Sequence, residues 1–426
     1  MYTSIDKLYE LFLQCSCVTT DSRNCPDNSL FFALKGANFN GNKFAASALE
    51  MGSKYAVVDE PEYADGKNIF LVENCLIALQ QLAKCHRRHI GTTIVGITGT
   101  NGKTTTKELV SAVLSAKYNV LYTQGNLNNQ IGVPLTVLRL KKEHELAVVE
   151  MGASHPGDIK ELVEIAEPNY GLITNVGHAH ILGFGSFEGV VKTKGELYDF
   201  IRNNGGKVFR NAENENLKKI SNGLDCVLYG QTADCFVSGK LLSSSPFLRL
   251  EWNGQDISTN LVGDYNFENV LAAITVGKYF NVEGNDIANA IKNYVPSNNR
   301  SQYKQTETNR LIIDAYNANP TSMEASLKNF FKMDLQHKVL ILGDMKELGC
   351  DSEMEHERIV KLIGTLNPES VFLVGECFEK AAAEGMKTFK DVDGLKNYIK
   401  ANPMSDKTIL IKGSNSTKLI NVVDCL

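Results

Sequence analysis

The stretch Thr93-Ile-Val-Gly-Ile-Thr-Gly-Thr-Asn-Gly-Lys-Thr-Thr-Thr106 limits the possible folds more than any other part of the chain. Thr93 to Thr98 is a short β-branched, apolar run, the pattern of a strand buried on both faces of a parallel sheet. Gly99, Thr100, Asn101 and Gly102 follow as a tight loop poor in side chains. From Lys103 onward Leu109, Val110, Val113 and Leu114 recur at helical spacing, so the loop opens a helix. Strand, glycine loop and helix start are the context of a phosphate-binding loop. Backbone N–H groups from Gly99 to Thr105 cradle the phosphates, Lys103 adds a point charge, and the Thr104 hydroxyl is placed to ligate Mg²⁺. The strict spacing G-x-x-x-x-G-K-[ST] asks for glycine at 97, where this chain has Ile97 and sets glycines at 96 and 99. The flanking elements carry the reading, and a nucleoside triphosphate is the expected ligand.

At 426 residues the chain suits about three domains. The first, residues 1–88, reads as a small α/β unit with strands at Ser29–Leu34 and Tyr55–Val58 and helices at Phe44–Met51 and Leu76–Lys84. Residues 89–295 carry the phosphate loop, with further strands at Tyr118–Tyr122, Leu146–Glu150, Tyr170–Asn175 and Gly206–Asn211. Helices alternate with these strands, which indicates a doubly wound, mostly parallel sheet. From Cys226 to Leu261 the runs shorten and alternate, the pattern of an antiparallel add-on with a hairpin at Asn253-Gly254. Asn266–Tyr279 reads as an amphipathic helix. Residues 296–426 form a third, Rossmann-like α/β unit with strands at Leu311–Asp314, Lys338–Leu342, Ser370–Val374 and Thr408–Lys412. The fold class expected is therefore α/β in three domains.

A net charge of −5 gives no reason to expect nucleic acid or an anionic membrane as partner. The N-terminal residues have no basic segment followed by an apolar core, and no apolar run reaches the length of a membrane span, so a cytoplasmic protein is expected. Ten cysteines without repeating spacing suit reduced thiols rather than a disulfide scaffold. Cys85, His86 and His89 share one helix with no second ligand pair nearby, so packing is favoured over zinc. Nothing resembles a dimerisation helix, and a monomer is expected.

Several polar residues fall at the ends of predicted strands, where open α/β sheets bind ligands. Glu150, followed by Met151-Gly152-Ala153-Ser154, closes the strand beside the phosphate loop and is placed to hold Mg²⁺ directly or through water. Asn175-Val-Gly-His178-Ala-His180 ends the next strand, and spacing alone does not choose between the two histidines. Lys192-Thr-Lys194-Gly-Glu196 opens a helix, and by composition it is a solvated basic helix start. In the third unit Asp314 leads into Ala315-Tyr316-Asn317-Ala318-Asn319-Pro320, while Gly343-Asp344-Met345 and Lys412-Gly413-Ser414 end two other strands. These three polar ends form a plausible second ligand face. Asp21-Ser22-Arg23 and Lys35-Gly36 sit at strand ends of the first unit.

With these residues assembled, the chain resembles the Mur ligases, the ATP-dependent amide-forming family of peptidoglycan synthesis. The resemblance covers essentially the whole length. It rests on Gly99–Thr104, Thr20-Asp-Ser-Arg23, Gly125-Asn-Leu-Asn-Asn129 with Ile131-Gly-Val-Pro134, Glu150–Ser154, His178-Ala-His180 with Gly183-Phe-Gly-Ser186, Asp314–Pro320, Gly343-Asp-Met-Lys-Glu-Leu-Gly349 and Lys412-Gly-Ser414. The branch most similar joins D-alanyl-D-alanine to UDP-N-acetylmuramoyl-tripeptide. The resemblance implies ATP and two Mg²⁺ ions, with Lys103, Glu150, His180 and Lys194 as the catalytic set. Thr104, Glu150, His180 and a carbamylated Lys194 would support the metal. Asn266 and Asn269 resemble the adenine-side motif, and Arg300 and Asp314 the residues that reach the nucleotide from the third domain. Asp21, Ser22, Arg23, Lys35 and Gly36 would meet the UDP-sugar end of the substrate, with Asn128, Asn129, Tyr316, Asn317, Asn319 and Ser414 along the rest of it. Two positions depart from the pattern: Asn299 stands where a glycine commonly precedes the arginine, and Asn415 where an arginine is frequent.

Three alternatives remain at this point. A tripeptide-forming ligase of the same family usually carries an Asp-Asn-Pro-Arg motif, which is absent here, whereas Tyr316-Asn-Ala-Asn-Pro320 is present. A folylpolyglutamate synthetase-like ligase lacks such an N-terminal unit. A non-catalytic nucleotide switch is disfavoured by the presence of Lys103, Glu150, His180 and Lys194.

Overall fold

Parallel pairing dominates three separate sheets. The computed structural model describes residues 2–177, 181–297 and 299–426. In the first sheet Val18–Thr19, Leu30–Phe32, Tyr55–Val58 and Ile69–Leu71 lie side by side, all parallel. The central sheet has nine strands. Their order is Gln255–Val262, Phe247–Trp252, Val237–Ser244, Asp225–Gly230, Lys207–Asn211, Tyr170–Ile173, Thr93–Thr98, Leu146–Glu150, Val120–Tyr122. The third sheet has six strands, in the order Gln302–Gln305, Arg310–Asp314, Thr408–Lys412, Lys338–Gly343, Ser370–Val374, Lys387–Phe389. Only its first pair is antiparallel. The protein is thus an α/β molecule of three domains, the class expected from the sequence.

Alternation along the central strands decides what each face buries. Ile94, Ala147, Val149 and Ile173 pack into one apolar cluster, while Val95, Ile97, Val148 and Leu172 pack into another on the opposite face. The first cluster runs without a break into the core of the N-terminal domain, through Leu8, Phe31, Leu79 and Leu82. Helix Cys75–Ile90 makes the join. Asn74 caps its start by accepting from the Ile77 N–H, and Gly91 ends it in the left-handed conformation. Near its end the buried Arg87 donates to the Ala166 and Glu167 carbonyls and to the Asn169 side chain, all in the central domain. His86, one of the residues weighed for zinc, lies within 2.8 Å of the Leu140 carbonyl through Nε2.

Two expectations are corrected here. The add-on expected from Cys226 is antiparallel only in its later part: Asp225–Gly230 pairs in parallel with Lys207–Asn211 and with Val237–Ser244, and antiparallel pairing begins between Val237–Ser244 and Phe247–Trp252. The Asn253-Gly254 turn does close its hairpin, both residues having positive φ. The helix after it, Phe267–Tyr279, is not amphipathic. Every residue from Phe267 to Gly277 except Glu268 is buried, because the helix lies in the core of the second cluster.

The third domain has a core on each face of its own sheet. Among the described residues, Val262 at the end of the add-on is the one fully buried member that joins it from the central domain. Asp344 also departs from expectation. It is 1% exposed and turned inward, where its carboxylate accepts from the backbone N–H groups of Cys377 and Phe378. It therefore caps helix Glu376–Ala381 instead of facing a ligand. Beside it the fully buried His356 accepts the Met345 N–H at Nε2 and lies 2.6 Å from the Ser352 carbonyl through Nδ1.

Burial holds the His356 imidazole below its ordinary value of 6.5, outweighing the attraction of Asp344. Below pH 6.5 the unfolded chain takes up a proton there that the folded domain refuses. The stabilisation is therefore complete above that pH and shrinks as pH falls toward the lower folded-state value. Resistance of the wild type to urea should fall as pH drops below 6.5, and His356→Gln should flatten that slope. An unchanged slope in the variant would assign the acid sensitivity to other groups.

Candidate functional site

Three neighbouring strands of the central sheet, Leu146–Glu150, Thr93–Thr98 and Tyr170–Ile173, end on the same edge because they run parallel in register. A cleft of about 780 Å³ opens there, between the central and third domains. One wall comes from Thr100 to Thr105, Asn128, Asn129, Glu150, Asn175 and Asn269, the other from Arg300, Asp314, Tyr316, Asn317, Asn319 and Lys412. The volume suits a nucleotide.

The loop conformation follows from its glycines. Gly99 and Gly102 have φ of +144° and +79°. A Cβ on Gly99 would meet the Thr174 hydroxyl at 2.0 Å, and one on Gly102 would meet the Asn269 amide at 2.6 Å. The loop is fastened to the end of the neighbouring strand. The Asn101 N–H donates to Asn175 Oδ1 at 3.0 Å, and the Asn101 carbonyl accepts from Thr174 Oγ1 and Asn175 Nδ2. Lys103 Nζ folds back to donate to the Gly99 and Thr100 carbonyls at 2.8 and 3.0 Å. Burial pushes its amine down to about 8, with Glu150 opposing and Arg300 adding to the fall. Thr106, one turn into the helix, donates to Asn269 Oδ1, and Asn269 donates to Asn266 Oδ1, so the two asparagines of Gly263–Asn269 are wired to the loop helix.

Glu150 is 1% exposed. Its Oε1 accepts from Thr104 Oγ1 at 3.2 Å and from Asn128 Nδ2 at 2.8 Å, whereas Oε2 is buried without a hydrogen-bond partner. An orphaned, buried carboxylate oxygen next to a threonine hydroxyl is a hard-oxygen donor set that fits Mg²⁺. Asn129 Oδ1 accepts from the Ile131 and Gly132 N–H groups at the entry to helix Gly132–Val137.

Lys194 is not at a solvated helix start. Its helix begins earlier, at Phe187 behind the Ser186 cap, and the amine lies in the interior at 2% exposure, over the Phe184 ring and 3.5 Å from the Ala153 carbonyl. Burial and then Lys103 drive it well below the usual lysine range, against Asp158 and Glu196. Two residues on, Glu196 accepts from the Gly157 and Lys160 N–H groups and so ties the Met151–Gly157 loop to the same helix. His178 and His180 lie outside the described residues.

From the third domain, the Arg300 guanidinium stacks 3.7 Å from the centroid of Tyr316, and Asn299 before it takes the left-handed turn with φ +54°. Asp314 pairs with the buried Lys412, which also donates to the Asn317 carbonyl. Other expected residues stay away from this cleft. Ser414 is buried and accepts the Lys346 N–H. Asp21 and Arg23 form an exposed ion pair beside Ser22 in the N-terminal domain, and Lys35, next to Gly36, pairs with Asp59 and Glu60. Gln130 and Asp158 line the cleft but belong to no motif the sequence singled out, and Asp264 lines it from within Gly263–Asn269. Asp158, which accepts from the Ser154 and His155 N–H groups, could have been suspected from its place at a helix start.

Comparison with known proteins gives this architecture a family. The Mur ligase family catalytic domain matches residues 14–87, the Mur ligase middle domain 97–277, and the Mur ligase glutamate ligase domain 299–415. The chain belongs to the Mur ligase family. Within it, the chain is similar to the UDP-N-acetylmuramoyl-tripeptide–D-alanyl-D-alanine ligase of Bacillus subtilis (strain 168), at 34% identity over 424 residues, covering 95% of this chain and 92% of that one. It is also similar to the crystal structure of MurF from Acinetobacter baumannii, with TM-score 0.86 and 28% identity over 100% of this chain and 98% of that one. A third likeness is MurF from Thermotoga maritima in complex with ADP, with TM-score 0.84 and 25% identity over 97% of each chain.

Gly102→Ala tests the loop geometry. The added methyl costs about 1–2 kcal/mol in a left-handed backbone and displaces Asn269. Titration calorimetry with ATP should read an affinity loss of roughly tenfold or more, and the melting temperature should fall by a few degrees.

Proposed function

We propose that the protein is an ATP-dependent acid–amino-acid ligase that adds D-alanyl-D-alanine to UDP-N-acetylmuramoyl-tripeptide through an acyl phosphate. The observation that carries this reading is the single cleft where the phosphate loop, a buried carboxylate with an unused oxygen, and the polar strand ends of the third domain face one another. The full-length likeness to ligases of that name selects the substrates.

A peptide carboxylate does not acylate an amine because its leaving group would be oxide. Moving the γ-phosphoryl group from ATP onto a carboxylate oxygen gives ADP and an acyl phosphate. The dipeptide amine then adds to the acyl carbon, and the tetrahedral intermediate expels phosphate and loses a proton to leave the amide. Mg²⁺, when bound, supplies neutralisation of phosphate charge. Thr104 and Glu150 would hold one ion, and His180 and a carbamylated Lys194 a second. Lys103 leaves its carbonyl partners for the phosphates, whose charge raises its proton affinity again. Asn266 and Asn269 present the adenine side, while Arg300 and Asp314 reach the nucleotide from the third domain. Asn128, Asn129, Tyr316 and Asn317 contact the acceptor and the dipeptide. Asp21, Ser22, Arg23, Lys35 and Gly36 hold the UDP-sugar end, far along the same substrate. In this assignment residues 1–88 bind the UDP-sugar, 89–295 bind ATP and 296–426 complete the site. The working form is a cytoplasmic monomer.

Phosphate release from ATP should require both UDP-N-acetylmuramoyl-tripeptide and D-alanyl-D-alanine and should yield a nucleotide product heavier by the dipeptide. Turnover with the dipeptide-stage nucleotide and a free diamino acid instead would move the protein to the preceding ligation. Lys103→Ala should lower kcat at least about a hundredfold while UDP-substrate binding persists.

Carbamylation needs a neutral amine, and the depressed proton affinity of Lys194 supplies one. Activity should fall in buffer stripped of carbon dioxide and return on adding bicarbonate, with Lys194→Ala inactive in both. Equal activity with and without bicarbonate would leave Lys194 as a plain amine.

A further inference from the structure

Helix Pro320–Lys332 of the third domain, 13 residues and so about 20 Å long, lies along the cleft and presents Thr321, Ser322 and Ala325 to it. It touches the central domain at both ends, in different ways. At its far end Asn329 Oδ1 accepts from the Asp264 N–H at 3.0 Å and from Ser244 Oγ at 3.4 Å. Lys332 pairs with Asp264, and the Asp334 N–H donates to Ser245 Oγ. Val262 and Phe247 add apolar contact, and the covalent connection through Ser301 runs close by, with Tyr265 and Ser301 sharing a hydroxyl contact at 2.9 Å. That end is built as a fixed pivot.

The near end is attached by less. Asn319 caps the helix: its Oδ1 accepts the Ser322 N–H at 2.8 Å, and its own N–H donates to Ser322 Oγ. One donor group is then left over, Nδ2, and it bonds Asn101 Oδ1 of the phosphate loop at 2.8 Å. On the loop side the accounting is the same. The Asn101 N–H and carbonyl are both committed to Thr174 and Asn175, so only the side chain is available to the third domain. The Asn101–Asn319 bond is a direct polar link from the loop that holds phosphate to the domain that must come to it.

We propose that Asn319 is a positioning residue that latches the third domain onto the phosphate loop, so that Asp314, Tyr316 and Asn317 stand over the cleft while acyl transfer proceeds. Rotation about the Asn329 end opens the cleft by breaking this bond. The latch goes beyond the ligase reading, and rests on it only for the kinetic arm of the test.

Capping and latching use different atoms of one side chain, which makes them separable. Serine caps a helix about as well as asparagine but is too short to reach Asn101. Asn319→Ser should therefore keep the wild-type melting temperature, whereas Asn319→Ala, which loses both functions, should melt lower. Both variants should show kcat reduced by a similar factor, roughly tenfold for one neutral hydrogen bond, with KM for ATP nearly unchanged. With a non-hydrolysable ATP analogue as the only ligand, small-angle scattering should give Asn319→Ser a larger radius of gyration than wild type. Equal radii would overturn the latch whether or not the protein ligates these substrates. So would a wild-type kcat in Asn319→Ser, which would leave only the cap, or a raised KM for ATP at unchanged kcat, which would make Asn319 a direct nucleotide contact. Absence of ligation by the wild type would count against the substrate reading alone, and the scattering would still decide the latch.

Discussion

The parallel register of three central strands is the constraint on which the chemistry depends. It sends the strands ending at Thr98, Glu150 and Ile173 to one edge of the sheet, and from them come the phosphate loop, the buried carboxylate and the asparagine that pins the loop. None of these groups makes a site alone. Glu150 keeps one oxygen without a partner in a buried place, a state that costs free energy unless a cation or donor meets it. A fold tolerates such a group where a ligand completes it.

Most of this was legible from local pattern. The β-branched run before Gly99 and the helical spacing after Lys103 each specify one element, and together they fix the loop between them. Asp314 was legible as a strand end for the same reason. What local pattern could not read was the direction of a side chain after its element ends. Asp344 and Asp314 both close strands of the third sheet, yet one turns under to cap a helix and the other faces the cleft. Lys194 was misread from composition because composition records charge and not depth: its helix starts at Phe187, ahead of the basic residues, which carries the amine into the interior. The helix at Phe267 looked amphipathic because Glu268 and Asn269 open it, but Asn269 is held inside by Thr106.

The three domains are not equally independent. The first and second share one apolar cluster and the buried Arg87, so moving one against the other would expose core and strand a buried cation. The third meets the second through polar contacts, one buried valine and the helix that borders the cleft. Relative motion is cheap where the contact is mostly polar and costly where it is a shared core. A ligase that must admit three substrates and then exclude water needs one joint of each sort, a rigid one to keep a long substrate in line and a loose one to close over it.

The shared cluster also bears on how the chain is assembled during synthesis. It begins at Leu8 and takes in residues as late as Leu217, with Ile220 and Leu224 packed on it. The N-terminal strands therefore leave the ribosome long before the surface that covers helix Cys75–Ile90 exists. Their unit matures only after half the chain has been made, so the first two domains are completed together as one block. The six-stranded domain, whose two cores draw almost wholly on residues after Arg300, closes afterwards on its own.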